Sequence, residues 1–229
     1  MNSSFKKYWY KFTNKKKYQV YRNKIIKDKE LKDFKNNLEK YLDEVQIKIK
    51  TKKNLSFLHS GTTGDVINAL PVIKELAKTH QCSLYLQVER PYEKDHPNNY
   101  CPFLLPQHLF QMLLPLLKSQ EYLFEVKKFE NEEIDINFDK FREFPVSLQF
   151  DNIRYYFHVS GMQPDILNPY LNVKTHSKIK NKIVIHRTFR YRNHLINYNF
   201  LKKYKDLIFI GTKKEYDDLK KSVDNLEFY

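Results

Sequence analysis

The residues best suited to chemistry fall in two short stretches. In Gly61-Thr62-Thr63-Gly64-Asp65, two glycines let backbone approach a ligand with no Cβ in the way, and Asp65 stands where the chain enters a helical pattern. A carboxylate in that place either caps the helix against its macrodipole or takes the proton of an attacking hydroxyl as a general base. In His186-Arg187-Thr188-Phe189-Arg190-Tyr191-Arg192, three arginines in six residues follow an apolar run. Guanidinium groups match phosphate oxygens bidentately and stay charged, and Thr188 adds a hydroxyl. Glu215, shortly after Gly211, has two readings like Asp65: a helix-start carboxylate, or an acceptor for the hydroxyls of a ribose or sugar. Together these groups suit a direct displacement, with a carboxylate on the attacking hydroxyl and cations on a leaving phosphate. No protein nucleophile is needed, and no Ser-His-Asp ordering stands out.

The first turn is no nucleotide fingerprint. It lacks G-x-G-x-x-G, and neither GKS nor GKT follows, so a purely structural turn is the competing reading.

The elements that must hold these residues read as alternating strands and helices. Leu55, Phe57 and Leu58 form a strand before the turn; Val66, Ile67, Ala69, Leu70, Ile73 and Leu76 recur at helical spacing after it. Pro71 suits the early part of that helix, where its missing N–H matters least. Ser83 to Val88 is a second strand, giving a βαβ unit with a right-handed crossover. Ligands of open α/β sheets bind at the carboxyl ends of strands, beside such turns. Residues 89–102 read as a loop carrying His96. From Gln107 an apolar helix runs on, with Pro115 kinking or dividing it. Tyr122 to Val126 and Pro145 to Phe150 read as strands, and the acids of Asn131 to Ile136 as surface charge. After a polar linker the pattern restarts: strand Lys182 to Ile185, short helix Asn199 to Tyr204, buried strand Leu207 to Ile210, helix Glu215 to Ser222, and the approach to another strand. The expected organisation is a basic aromatic arm and helix (1–50), a Rossmann-like parallel-sheet domain (51–170) and the opening of a second Rossmann-like domain (175–229). About 55 residues are poor material for a separate core. The second domain is therefore expected either to continue beyond Tyr229 or to lean on the first.

Composition narrows the partners. The 229 residues carry 41 basic and 27 acidic side chains, a formal +14, which favours nucleotides, phosphorylated sugars, nucleic acid or anionic membrane. The two cysteines have no CxxC partner, and no Cys/His cluster has zinc spacing, so no metal site and a reducing, cytoplasmic compartment are expected. No apolar run is long enough to span a bilayer, and no secretory h-region is present. Residues 1–27 interleave lysines with Phe5, Tyr8, Trp9, Tyr10 and Phe12 without a clean helical period. They are expected to form a solvated arm that docks through a few aromatics, stacks on bases or lies on an anionic membrane surface. A helix is expected over 28–47 and a lysine-rich connector over 48–53.

On Gly64-Asp65-Val66-Ile67-Asn68-Ala69-Leu70-Pro71, the basic loop after Ile185, and Gly211 with Glu215, the chain resembles heptosyltransferase-like glycosyltransferases of GT-B architecture. Met112 to Gln120, Tyr122, Ile134-Asp135 and Phe141-Arg142 look like a less characterised branch. The resemblance covers residues 54–229; the family continues beyond this end, and many relatives have a glycine-containing turn where this chain has arginines. It implies transfer of a sugar from a nucleotide-sugar donor, without a bound metal or tight cofactor, to a glycan or glycolipid hydroxyl such as a lipopolysaccharide precursor. It implies work at the inner face of the membrane. Asp65 would match the catalytic base, Gly61 to Gly64 the adjoining turn, Arg187, Thr188, Arg190 and Arg192 the donor-phosphate loop, and Glu215 a donor contact. With the base and the arginines expected across one cleft, the enzyme reading competes with a non-catalytic anion- or nucleic-acid-binding protein on the same fold. A nucleotide-sugar hydrolase or epimerase is a third reading.

Overall fold

The computed structural model describes residues 3–91, 102–142, 152–174, 176–189 and 192–229. His96, Cys101, Arg190 and the expected strand Pro145 to Phe150 lie outside the described residues. The chain divides into two compact units, residues 1–172 and 173–229, each taken by itself below.

The first unit begins with helices α1 (Ser3–Thr13) and α2 (Lys15–Thr51). The sequence reading of an aperiodic arm, a helix confined to 28–47 and a connector over 48–53 is corrected here: helix occupies nearly all of it. Lysine is a good helix former whatever its charge, so a lysine run need not break a helix. Asn14 sets the boundary, its side chain accepting the Lys17 N–H at 2.9 Å as an N-cap. Among the described residues, α2 meets a core through Leu38, Tyr41, Val45 and Ile49, near its C-terminal end. Lys48 Nζ also donates to the carbonyls of Ile134 and Asp135, at 3.2 and 3.1 Å.

The core is built on a parallel sheet. Strands β1 (Asn54–His59), β2 (Gln81–Leu86), β3 (Glu125–Lys128) and β4 (Ile136–Asn137) lie in the order β3-β2-β1-β4, every pairing parallel. β1 is thus interior, and Leu55, Phe57, Leu58 and His59 are all buried, as a strand covered on both faces requires. Helix α3 (Thr63–Leu76) crosses from β1 to β2 and buries Val66, Ala69, Leu70, Val72, Ile73 and Leu76. Helix α4 (Gln107–Lys118) contributes Phe110, Leu113 and Leu117, and helix α5 (Asn152–Ser160) contributes Tyr156 and Val159.

Both prolines sit inside their helices rather than at an end. Pro71 is well within α3, and α4 passes through Pro115 as one helix. Burial on one apolar face outweighs the lost backbone hydrogen bond. Of the acids expected at the surface over 131–136, Glu133 is exposed but Asp135 differs from expectation. Asp135 is buried, accepts from the Ser56 N–H and hydroxyl at 3.0 Å each, and pairs with Lys52 at 2.6 Å. It ties the end of α2 and the start of β1 to the approach to β4.

The second unit carries a parallel sheet in the order β5-β6-β7, from Ile183–Ile185, Leu207–Phe209 and Leu226–Phe228. Helix α6 (Lys213–Lys220) joins β6 to β7, and Leu201, Leu207, Phe209, Leu219, Val223 and Leu226 form a small core of its own. The chain is therefore a mixed α/β protein of parallel sheets.

Candidate functional site

The β1–α3 turn forms at the carboxyl end of an interior strand. Thr62 is the N-cap of α3 and Asp65 its third helical residue. Asp65 Oδ2 accepts both the Thr62 N–H at 2.9 Å and the Thr62 hydroxyl at 3.0 Å. Among the described residues Oδ1 receives no hydrogen bond. Gly61 is required by close approach: a Cβ there would stand 2.4 Å from His59 Cε1 and 2.6 Å from Asp65 Cβ. Gly64 is different, since a Cβ would meet nothing nearer than Thr62 Oγ1 at 4.0 Å. Among the described residues, the space that a Gly64 Cβ would enter is open.

Beneath this turn lies a polar network that sequence reasoning missed. His59 is fully buried; its Nδ1 accepts the Gly61 N–H at 2.8 Å and its Nε2 lies 2.9 Å from Tyr156 Oη. An Nδ1 that accepts cannot carry a proton, so the ring is neutral and donates from Nε2 to Tyr156. Burial agrees, pushing the histidine pKa down to about 4 and that of Tyr156 up. Asp139, in the 3-10 turn after β4, accepts the Ser60 N–H at 3.1 Å, Arg142 at 2.5 Å and Arg90 at 3.2 Å. Burial alone would raise its carboxyl, but Ser60 and the Arg142 charge hold it below the usual carboxylate range. Arg90 also donates to Ser60 Oγ at 3.0 Å, and Arg142 Nη2 reaches within 3.9 Å of Asp65 Oδ2. Asp65 thus has a fixed guanidinium beside it, supported by a second carboxylate. The i,i+3 spacing of Asp139 and Arg142 was visible in the sequence, but not the contact with a turn some 80 residues earlier.

The second unit repeats the turn. Thr212 caps α6 and Glu215 is its third helical residue. Glu215 Oε2 accepts the Thr212 N–H at 3.2 Å and hydroxyl at 2.8 Å, while Oε1 accepts the Phe189 N–H at 2.9 Å. Led by the Phe189 contact, these donors hold Glu215 below its ordinary pKa. Arg187 and Arg192 both bond Asp218 Oδ2, at 2.6 and 2.9 Å, and Arg187 chiefly keeps that carboxyl ionised. The Arg187 side chain is only 10% exposed, with its guanidinium over the Tyr198 ring and a buried Nε that has no partner among the described residues. Arg192 is more open, at 27%. Thr188 lies in the same loop.

Each unit thus gathers its own predicted residues: Gly61 to Asp65 in the first, and Arg187, Thr188, Arg192 and Glu215 in the second. Among the described residues no group of three His, Cys, Asp or Glu side chains is arranged to hold a metal ion. No described helix is long and apolar enough to cross a membrane. Comparison with protein-family models, with curated proteins and with solved structures finds no match in any of the three.

Proposed function

We propose that the chain is a glycosyltransferase of GT-B type, moving a sugar from a nucleotide-sugar donor to a hydroxyl acceptor. The observation that carries the reading is the state of Asp65. One carboxylate oxygen is anchored by Thr62, the other receives no hydrogen bond among the described residues, and both sit at the carboxyl end of an interior parallel strand, next to Gly64, whose side is open among those residues. In the reaction, the uncommitted oxygen takes the proton of the acceptor hydroxyl. The acceptor oxygen, freed of its proton, bonds to the anomeric carbon, the bond from this carbon to the donor phosphate breaks, and the nucleoside diphosphate leaves with the electron pair. Arg142 Nη2 stands within 3.9 Å of the anchored oxygen, on the Thr62 side of the carboxylate.

The donor loop is assigned to residues 186–192. Arg187, bonded to Asp218 and mostly buried, holds the loop in place. Arg192 is the guanidinium with more room to bond a phosphate as well as Asp218. Glu215 fixes the same loop through the Phe189 N–H.

The test is release of nucleoside diphosphate from a panel of nucleotide sugars, with and without added glycan or glycolipid acceptors. Acceptor-dependent release from one donor is expected. Absence of both release and donor binding across the panel, alongside salt-sensitive binding of polyanions, would instead favour the non-catalytic anion-binding reading.

A further inference from the structure

The N-terminal helices face a different kind of partner. Residues 3–27 contain eight lysines and one arginine and not a single acid. They are helical throughout except at Asn14. From Tyr8 to Asn37, among the residues whose side chains are described, none is buried. Among the described residues this part of α1 and α2 contributes nothing to the core, so packing within the unit does not explain their apolar side chains.

Those side chains are large and outward. Tyr8, Trp9 and Phe12 share one face of α1 and are 60%, 56% and 81% exposed. Val20, Ile25 and Ile26 of α2 are exposed too. Tyr10 is the α1 ring that turns towards α2, meeting Tyr21 edge-on at 5.9 Å. Between the two helices lies a concavity of about 580 Å³ lined by Tyr10, Val20, Tyr21 and Ile25, by Lys16, Lys17 and Lys24, and by one acid, Asp28.

We propose that this surface docks on an anionic lipid bilayer. An amphipathic helix with lysines on one side and Trp and Phe on the other lies in the plane of the interface, its apolar face in the acyl boundary and its cations among the headgroups. Aliphatic side chains decide against nucleic acid. Val20, Ile25 and Ile26 lie at different angles around α2, and each that meets the bilayer gains by leaving water for lipid but offers no ring on which a base can stack. Cation type agrees, because lysine serves diffuse headgroup charge, whereas nucleic-acid phosphates and base edges favour arginine forks. The surface stands independently of the sugar-transfer reading.

Trp9 is the sole tryptophan of the chain, so its emission reports on α1 alone. The full chain is titrated with vesicles of phosphatidylcholine containing about one third phosphatidylglycerol, with pure phosphatidylcholine vesicles, and with single-stranded oligonucleotide. A blue shift with co-sedimentation on the anionic vesicles only is expected. Each lysine contributes about fivefold near such a surface, so K15Q/K16Q/K17Q should weaken binding by roughly a hundredfold. Y8S/F12S, which keeps Trp9, should lose the blue shift. No shift on anionic vesicles would overturn the proposal. So would equal binding to neutral vesicles, or tighter binding of the oligonucleotide than of the lipid.

Discussion

The turns at Asp65 and Glu215 share one local design and put it to different ends. Each leaves a parallel strand through Gly-Thr, caps a helix with the threonine, and places an acid at the third helical position that bonds back to that threonine. At Glu215 both oxygens are taken, the second by the Phe189 N–H, and the neighbouring arginines are taken by Asp218. At Asp65 one oxygen is left over. The guanidinium beside it belongs to a buried network that would exist without it. A shared capping motif therefore says little about chemistry; what distinguishes the two is the number of donors that the rest of the unit directs at the acid.

If the network under Asp65 is the more deeply buried support, removing its acid should cost most. Asp139→Ala removes the buried acceptor shared by Arg90, Arg142 and the Ser60 N–H, and should destabilise the first unit by about 3–5 kcal/mol. Asp218→Ala, at a more exposed pair, should cost about 1 kcal/mol. Urea unfolding of both variants checks the ranking; equal losses would erase the contrast.

His59 supplies a pH signature that the Glu215 turn lacks. Its folded pKa of about 4 lies below the ordinary 6.5, so between those values the unfolded chain binds a proton that the folded chain refuses. Stability should fall as pH drops through that window, by on the order of 2–3 kcal/mol for this group. His59→Gln should remove that share, seen as a smaller difference in urea midpoint between pH 7 and pH 4.5.

The two glycines of the first turn sharpen the point further. Gly61→Ala forces a Cβ against His59 and Asp65 and should cost about 1–3 kcal/mol. Gly64→Ala enters open space within a helix and should be neutral or stabilising by up to about 1 kcal/mol. Under the sugar-transfer reading the same variant should nevertheless slow turnover, because a methyl would stand where substrate approaches. Thermal melts and initial rates separate the two effects.

The turns were legible in the sequence because each lies within a few residues: a strand, Gly-Thr, an acid and a helical period. What was hidden depends on distance along the chain. β4 is two residues long, too short for any periodicity, yet it brings Asp139 and Arg142 to the Asp65 turn. Three arginines after β5 advertised a phosphate site, but Asp218, which claims two of them, lies in the next helix. The long α2 was obscured because charge was read as loop, although lysine and glutamate suit a helix whose buried residues, among those described, lie near its end.

The account turns most directly on Asp65→Asn, which keeps the shape and one amide oxygen for Thr62 but cannot take a proton. With the donor that gives turnover, kcat should fall by about 10²–10⁴ while the donor dissociation constant moves less than threefold. Unchanged kcat, or a parallel loss of donor binding and fold stability, would make Asp65 a helix cap like Glu215 and contradict its role as the base.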